Sequence, residues 1–313
     1  MIIFTSIIIS CRNTADCKPK TKSGFNADSA YNFIKRQVSF GSRVPNTSAH
    51  DSCAIYLEKK LKSYGADVIV QRAKVKKFDG EELEIENIIG QIEPQKRRRI
   101  MLYAHWDSRY YADMEKNPAQ RLIPISGAND GASGVGVLLE IARNLQKKSP
   151  KIGVDIIFFD AEDQGEPIEK KIFNERSWSL GTQYWCKHPH KKNYKAFLGI
   201  CLDMVGDSSA TFLQEDNSRF YNNFTVKRLW KLAKTLGYEK YFPQKFSGQL
   251  YDDNLFVSQD YGIRSILIID NKAHKKIPFF KYWHTHSDTI DKIDTGTLKA
   301  VGDVVLQYVY CLK

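Results

Sequence analysis

Several things are scarce in this 313-residue chain, and each scarcity excludes something. Its six cysteines form no CxxC pair and have none of the spacing of a zinc finger, so neither a thioredoxin-type redox motif nor a cysteine-held structural metal is expected. Cys11 and Cys17 fall in the first segment, while Cys53, Cys186, Cys201 and Cys311 are widely spaced and read as buried free thiols rather than a disulfide framework. No apolar run is long enough to span a bilayer. Beyond residue 27 there is no linker, low-complexity tract or internal repeat. The excess of basic charge, a formal +11, is scattered except at "QKRRRI" (95–100) and "KVKK" (74–77). No stripe of aromatics interleaves with it, so a nucleic-acid partner is not expected, and a basic surface for anionic peptides or envelope lipids is the milder reading. "QKRRRI" itself reads as an exposed turn between strands.

What is present begins with "IIFTSIIISC", an apolar run of signal-peptide length ending in a small residue before Cys11. It resembles a bacterial lipoprotein cleavage signal, which implies lipidation of Cys11 and a periplasmic or membrane-anchored place in a bacterial cell envelope. Residues 1–26 are therefore expected to be leader and polar tether, and residues 27–313 a single domain.

From residue 27 the pattern is regular, and a hydrophobic content of 42% is ample for a core. "SAYNFIKRQVSFG" and "SAHDSCAIYLEKKLKSYG" have helical spacing and close on a glycine. Strands follow at "DVIVQRAKV", "LEIENIIGQI" and "RIMLYAHWDS". The turn "SGANDGASG" opens a helix running to Lys148. Next come the strands "VDIIFFDAED" and "AFLGICLDMVG", a helix from Asn222, the strand "SILIID" and a closing helix over 298–313. Alternating strands and helices predict a single-domain α/β fold: a central mixed, mostly parallel sheet covered by helices on both faces.

The polar residues at the strand ends carry the chemistry. "LYAHWDS" delivers His105 and Asp107, and "NDGASG" delivers Asp130. "FFDAEDQGE" crowds Asp160, Glu162, Asp163 and Glu166 where a buried strand emerges, and "CLDMVG" delivers Asp203. "LYDDN" offers Asp252 and Asp253, and "YWHTHSD" offers His284 and His286. Parallel strands share a carboxyl-end crevice, so groups remote in sequence can converge there. Any one of these acids could be a helix cap or a turn residue. So many at successive strand ends are better explained by a metal, and imidazole with carboxylate suits zinc.

"AHWDS", "GANDGASGVGVLLEIAR", "FFDAEDQGE", "CLDMVGD", "YWHTHSDTID" and "FGSRVPNT" (40–47) together resemble zinc-dependent exopeptidases with co-catalytic metals. Within that group they are most similar to bacterial glutaminyl-peptide cyclotransferases. The resemblance implies zinc, one ion per chain, held by Asp130, Asp163 and His284, with Glu162 as general acid/base. It implies a supporting hydrogen-bond network from Asp203 and either Asp252 or Asp253, and a pocket walled by Trp178 and Trp283. His105 would be left from a second, vestigial metal position. Implied substrates are peptide or protein N-termini bearing Gln, and the chain is expected to be a monomer. Where animal members of the family have a histidine, this chain has the aliphatic "SILIID". The main alternative is a two-zinc aminopeptidase, in which His105 and Asp203 complete a second metal. A non-catalytic peptide-binding lipoprotein on the same fold is the third reading.

Overall fold

A computed structural model describes residues 23–170, 173–272 and 278–313. Residues 1–22, which include the expected leader and Cys11, lie outside them.

Six strands form one sheet in the order β1-β2-β4-β3-β5-β6: β1 (Asp67–Lys76), β2 (Glu82–Ile92), β3 (Arg99–His105), β4 (Gly153–Phe159), β5 (Gly199–Asp203) and β6 (Ser265–Ile269). β1, β2 and β4 pair antiparallel, and β4, β3, β5 and β6 run parallel. β3 and β4 are buried along their whole length, as expected of central parallel strands with both faces covered.

The period-two alternation sorts the side chains of β3. Ile100, Leu102 and Ala104 face one core, whereas Met101 and Tyr103 face the other. The first face is covered by α1 (Ala27–Val38), α2 (Ser48–Ser63), α4 (Ala132–Lys147), α6 (Asp216–Thr235) and α8 (Thr295–Cys311), after the short α3 (Pro118–Arg121) in the chain. The second is covered by α5 (Leu180–Lys187) and α7 (Asp253–Phe256), through Trp185 and Phe256. Each such fully buried large apolar side chain contributes roughly 1.5–3 kcal/mol. The expected single-domain architecture is therefore the one observed.

Three details depart from expectation. Cys53, Cys186 and Cys201 are free and buried, but Cys311 is disulfide-bonded, not a free thiol. The basic run is only partly a surface turn: Arg97 and Arg98 are exposed, whereas Arg99 opens β3 and is buried. It donates to Asp155 at 2.8 Å from Nε and 2.7 Å from Nη2, neutralising a carboxylate in mid-strand. Finally, α6 starts six residues before the expected Asn222, because Glu215 caps it by accepting from the amides of Asn217 and Ser218. Asn222 is instead a break inside the helix, with φ −152° and ψ 54°.

Candidate active site

The carboxyl ends of β3, β4 and β5 and the loops beyond them enclose a cavity of about 270 Å³. Asp130, Glu162, Asp163, Asp203, Asp252, Trp178, Trp283 and His284 all line it. Eight residues spread over more than 150 positions of sequence thus meet in one place. Ile269, from the aliphatic "SILIID", lines it as well.

The backbone is bent to achieve this. Ala161, Ser179, Met204 and His284, each a cavity residue or next to one, adopt left-handed conformations with φ between 47° and 54°. Such conformations are uncommon for residues with a Cβ and mark chain held in place by its surroundings. Gly131 at φ +97° turns the chain from Asp130 into α4, and a Cβ there would fall 2.3 Å from the Asp107 carbonyl. Gly165 gives way to the Trp178 ring, which would stand 2.2 Å from a Cβ.

Buried groups away from the cavity hold its walls. Asp107 accepts from the amides of Glu162 and Asp163, both at 3.1 Å, and from Gln164 Nε2 at 2.9 Å. Asp288 accepts from the amides of Asn129 and Asp130 at 2.8 and 3.0 Å. Arg43, in "FGSRVPNT", donates to the carbonyls of Trp106, Ser126 and Gly127, which fixes the approach to Asp130. Asp160 faces away and pairs with His50 at 2.8 Å while accepting from the Glu86 and Ala161 amides. Glu166 pairs with Lys170, and His286 reaches the Ile123 carbonyl, so neither is a site residue. Asp107 does not line the cavity, and its role is that of a backbone clamp.

Arg109 is the hub that sequence reasoning missed. Fully buried, it donates to the carbonyls of Asp163 and Gly165 at 2.9 and 2.8 Å and forks onto Asp113 at 2.7 and 3.1 Å. It also lies 4.3 Å from the centre of the Trp178 ring. Asp113 Oδ2 in turn stands 2.9 Å from His284 Nδ1. Burial favours the neutral imidazole of His284, but the carboxylates of Asp163 and Asp113 outweigh it and raise its pKa to about 9.

The donor set fits a zinc ion. His284 Nε2 lies 3.2 Å from Asp163 Oδ1 and 3.5 Å from Asp130 Oδ2, and donor atoms of all three residues fall within 4.8 Å of one another. Asp130 Oδ2 and Asp163 Oδ2 are buried with no hydrogen-bond partner among the described residues, a costly arrangement unless a cation takes them. Two oxygens and one nitrogen with an open side are the ligands of a catalytic zinc. A second group, His105, Asp130 and Asp203, shares Asp130. Here His105 Nε2 lies 3.1 Å from Asp203 Oδ1, with which it hydrogen-bonds, and 3.2 Å from Asp130 Oδ1.

Burial first, and then the carboxylates of Asp163, Asp252 and Asp253, push Glu162 well above the usual range against the pull of His105. Burial and Asp203 raise Asp252 to about 8. Asp252 lines the cavity, whereas Asp253 is buried beside it with both carboxylate oxygens unpartnered. Of the two adjacent acids, Asp252 therefore faces the site. Both Trp283 and Trp178 stack on His284, with ring centres 3.9 and 6.1 Å away.

Residues 87–309 match the sequence profile of peptidase family M28, over most of the chain. The chain belongs to peptidase family M28. Among solved M28-like structures, the glutaminyl cyclase of Tannerella forsythia is 49% identical, with 92% of this chain and 99% of that one covered and a TM-score of 0.90. The Bacteroides thetaiotaomicron glutaminyl cyclase bound to N-acetylhistamine is 46% identical, with 92% and 99% covered and a TM-score of 0.90. A leucine aminopeptidase precursor from Bacteroides thetaiotaomicron is also 46% identical, with 92% and 98% covered and a TM-score of 0.89. The zinc-exopeptidase-like fold expected from the motifs, and their likeness to bacterial glutaminyl cyclases, are thus shown. Among the described residues no helix is long and apolar enough to cross a membrane.

Proposed function

We propose that this M28 protein is a glutaminyl-peptide cyclotransferase, which closes the N-terminal Gln of a peptide or protein into pyroglutamate and releases ammonia. The observation that carries the one-metal form of this reading is the division of the buried acids. His105 and Asp203 satisfy one another, whereas Asp130 and Asp163, beside His284, each keep an oxygen with no partner among the described residues. One zinc per chain would be held by Asp130, Asp163 and His284. Bound there, it supplies Lewis acidity toward a carbonyl oxygen.

The rest of the reaction falls to the chain. Both reacting groups, the α-amine and the γ-carbonyl, belong to one residue of the substrate, so the protein gains most by orienting them. Trp178 and Trp283 wall the glutaminyl side chain into its folded form and exclude water that would compete with the amine. Glu162, held at the cavity by its adjacent ligand Asp163, takes a proton from the attacking amine on its carboxylate oxygen and returns it to the departing ammonia. Asp203 and Asp252, beside it in the lining, complete the proton-holding network.

A two-zinc aminopeptidase is the second reading, favoured by the group His105, Asp130 and Asp203, in which Asp130 is placed to be shared. One experiment separates the two: ammonia release from a Gln-initiated dipeptide amide, measured beside amino-acid release from a Leu-initiated one. Cyclisation alone supports the proposal, and Leu release at a comparable rate rejects it.

The proposal extends to the cell. Residues 1–26 are leader and tether, Cys11 is the acylated residue, residues 27–313 act as one monomeric domain, and the protein works in the bacterial envelope. The disulfide at Cys311 supports an oxidising compartment. Membrane-fractionated wild-type protein, with precursor accumulating when Cys11 is replaced by Ala, is the expected outcome.

A further inference from the structure

A groove of about 550 Å³ lies among the loops that lead into β3, β5 and β6, the end of the sheet opposite the acidic cavity. Because these three strands are parallel neighbours, their amino ends lie side by side. Arg97, Arg98 and Lys195 line it without any described carboxylate in ion-pair reach, in contrast to Arg99, which is neutralised by Asp155. Lys191 and Lys192 are exposed on the turn that leads to Tyr194. The Arg98 guanidinium lies 4.5 Å from the centre of the Phe197 ring, which remains 39% exposed.

Uncompensated cations grouped at one pole attract a polyanion, and an arginine stacked on an aromatic presents its fork already ordered for phosphate oxygens. An exposed aromatic beside basic side chains suits the boundary between headgroups and acyl chains. The carboxylates of the cavity crowd the opposite pole, so the molecule is electrostatically polarised along its strands. We propose that this groove docks the protein on the phosphate headgroups of an anionic bilayer, with the acidic cavity opening away from the surface toward solution. Charge complementarity selects the occupant: each basic residue near an anionic membrane is worth about fivefold in binding. The inference does not depend on which reaction the cavity performs.

The test is vesicle sedimentation of the full chain with phosphatidylglycerol-containing and with purely phosphatidylcholine vesicles. The leader is common to every sample, and the neutral vesicles report its contribution. Arg97→Gln/Arg98→Gln should weaken binding to the anionic vesicles roughly 10- to 30-fold. The charge-matched double change Lys59→Gln/Lys227→Gln, at exposed positions outside the groove lining, should alter it at most about twofold. Unchanged turnover would confirm that both variants are folded. Equal binding to the two vesicle types, or an equal loss in the two double variants, would overturn the proposal. So would saturation by glycerol phosphate with no selective vesicle binding, which would make the groove a site for a soluble phosphate.

Discussion

Two histidine–carboxylate groups share Asp130, yet the sequence context around them has produced opposite states. In one, His105 and Asp203 are close enough to satisfy each other, so the pair is complete without any added ion. In the other, His284 is backed by Asp113 and Arg109, stacked on by two indoles, and faced by buried carboxylate oxygens that no described residue hydrogen-bonds. Similar donors therefore do not make equivalent metal positions. What separates them is how far the surrounding groups have already neutralised the charge.

Replacing His284 should break this difference outright. His284→Ala is expected to lose bound zinc and essentially all turnover, with elemental analysis and ammonia release as the readouts, since only the Asp130 and Asp163 carboxylates would remain to hold the ion. Glu162→Gln should fall next, by at least about 10²-fold, while retaining its zinc, because the amide cannot accept the amine proton but leaves Asp163 in place. A near-normal rate in a zinc-loaded Glu162→Gln protein would remove Glu162 from the mechanism.

The supports of His284 come third. Asp113 is held well below the usual carboxylate range, with His284 and Arg109 overcoming the cost of its burial. As an anion it orients the ring and keeps it electron-rich. Asp113→Asn should therefore weaken zinc affinity by about 10- to 100-fold. Excess zinc should restore turnover, which separates a positioning effect from a catalytic one. Arg109→Lys should do the same and also loosen Trp178, seen as a raised KM, because a lysine cannot fork onto Asp113 while reaching two carbonyls.

How much of this was legible in the sequence follows from where each group sits. The apolar runs of β3 and β4 declare themselves, and residues that end strands of one parallel sheet are obliged to share a crevice. Asp163, Asp203 and Glu162 could thus be found by marking strand ends, and Asp130 from the glycine-rich turn that opens α4. Arg109, Asp113 and Asp288 lie in irregular loops, and their partners are backbone atoms or side chains far off in sequence, 159 positions in the case of Asp288 and Asn129. No periodicity reports that. α5 escaped notice because eight residues with a mixed pattern give too short a repeat to read. Asn222 looked like a helix start because it is a good capping residue; it caps the second half of a helix that Glu215 had already begun.

A smaller effect, on stability rather than rate, tests the support beneath Glu162. His50 is raised to about 9: burial favours the neutral ring, but Asp160 overcomes it. The sign follows from linkage: a raised folded-state pKa contributes stability that is complete below about 6.5 and fades as pH rises through 9. Wild-type stability should thus decline between pH 6.5 and 9 by something on the order of 3 kcal/mol from this group. His50→Gln should flatten that slope in urea titrations, and an unchanged slope would place the charge elsewhere.

The smallest expected effect on turnover sharpens the opening contrast most. His105→Ala removes a ring bonded to Asp203 and near Asp107, leaving the Asp130, Asp163 and His284 donors untouched. In a one-zinc cyclotransferase its loss acts only by unpairing buried carboxylates, so turnover per folded molecule should drop less than about tenfold, far less than for His284→Ala. In a two-zinc aminopeptidase the two changes should be comparably severe, because each strips a ligand from a metal flanking the shared Asp130. Activity must be normalised to folded protein, since unpaired Asp203 and Asp107 would cost stability in either case. Equal collapse of both variants, with two zincs per wild-type chain, would mean that His105 and Asp203 give up their mutual bond to a second ion, and the aminopeptidase reading would replace the cyclotransferase one.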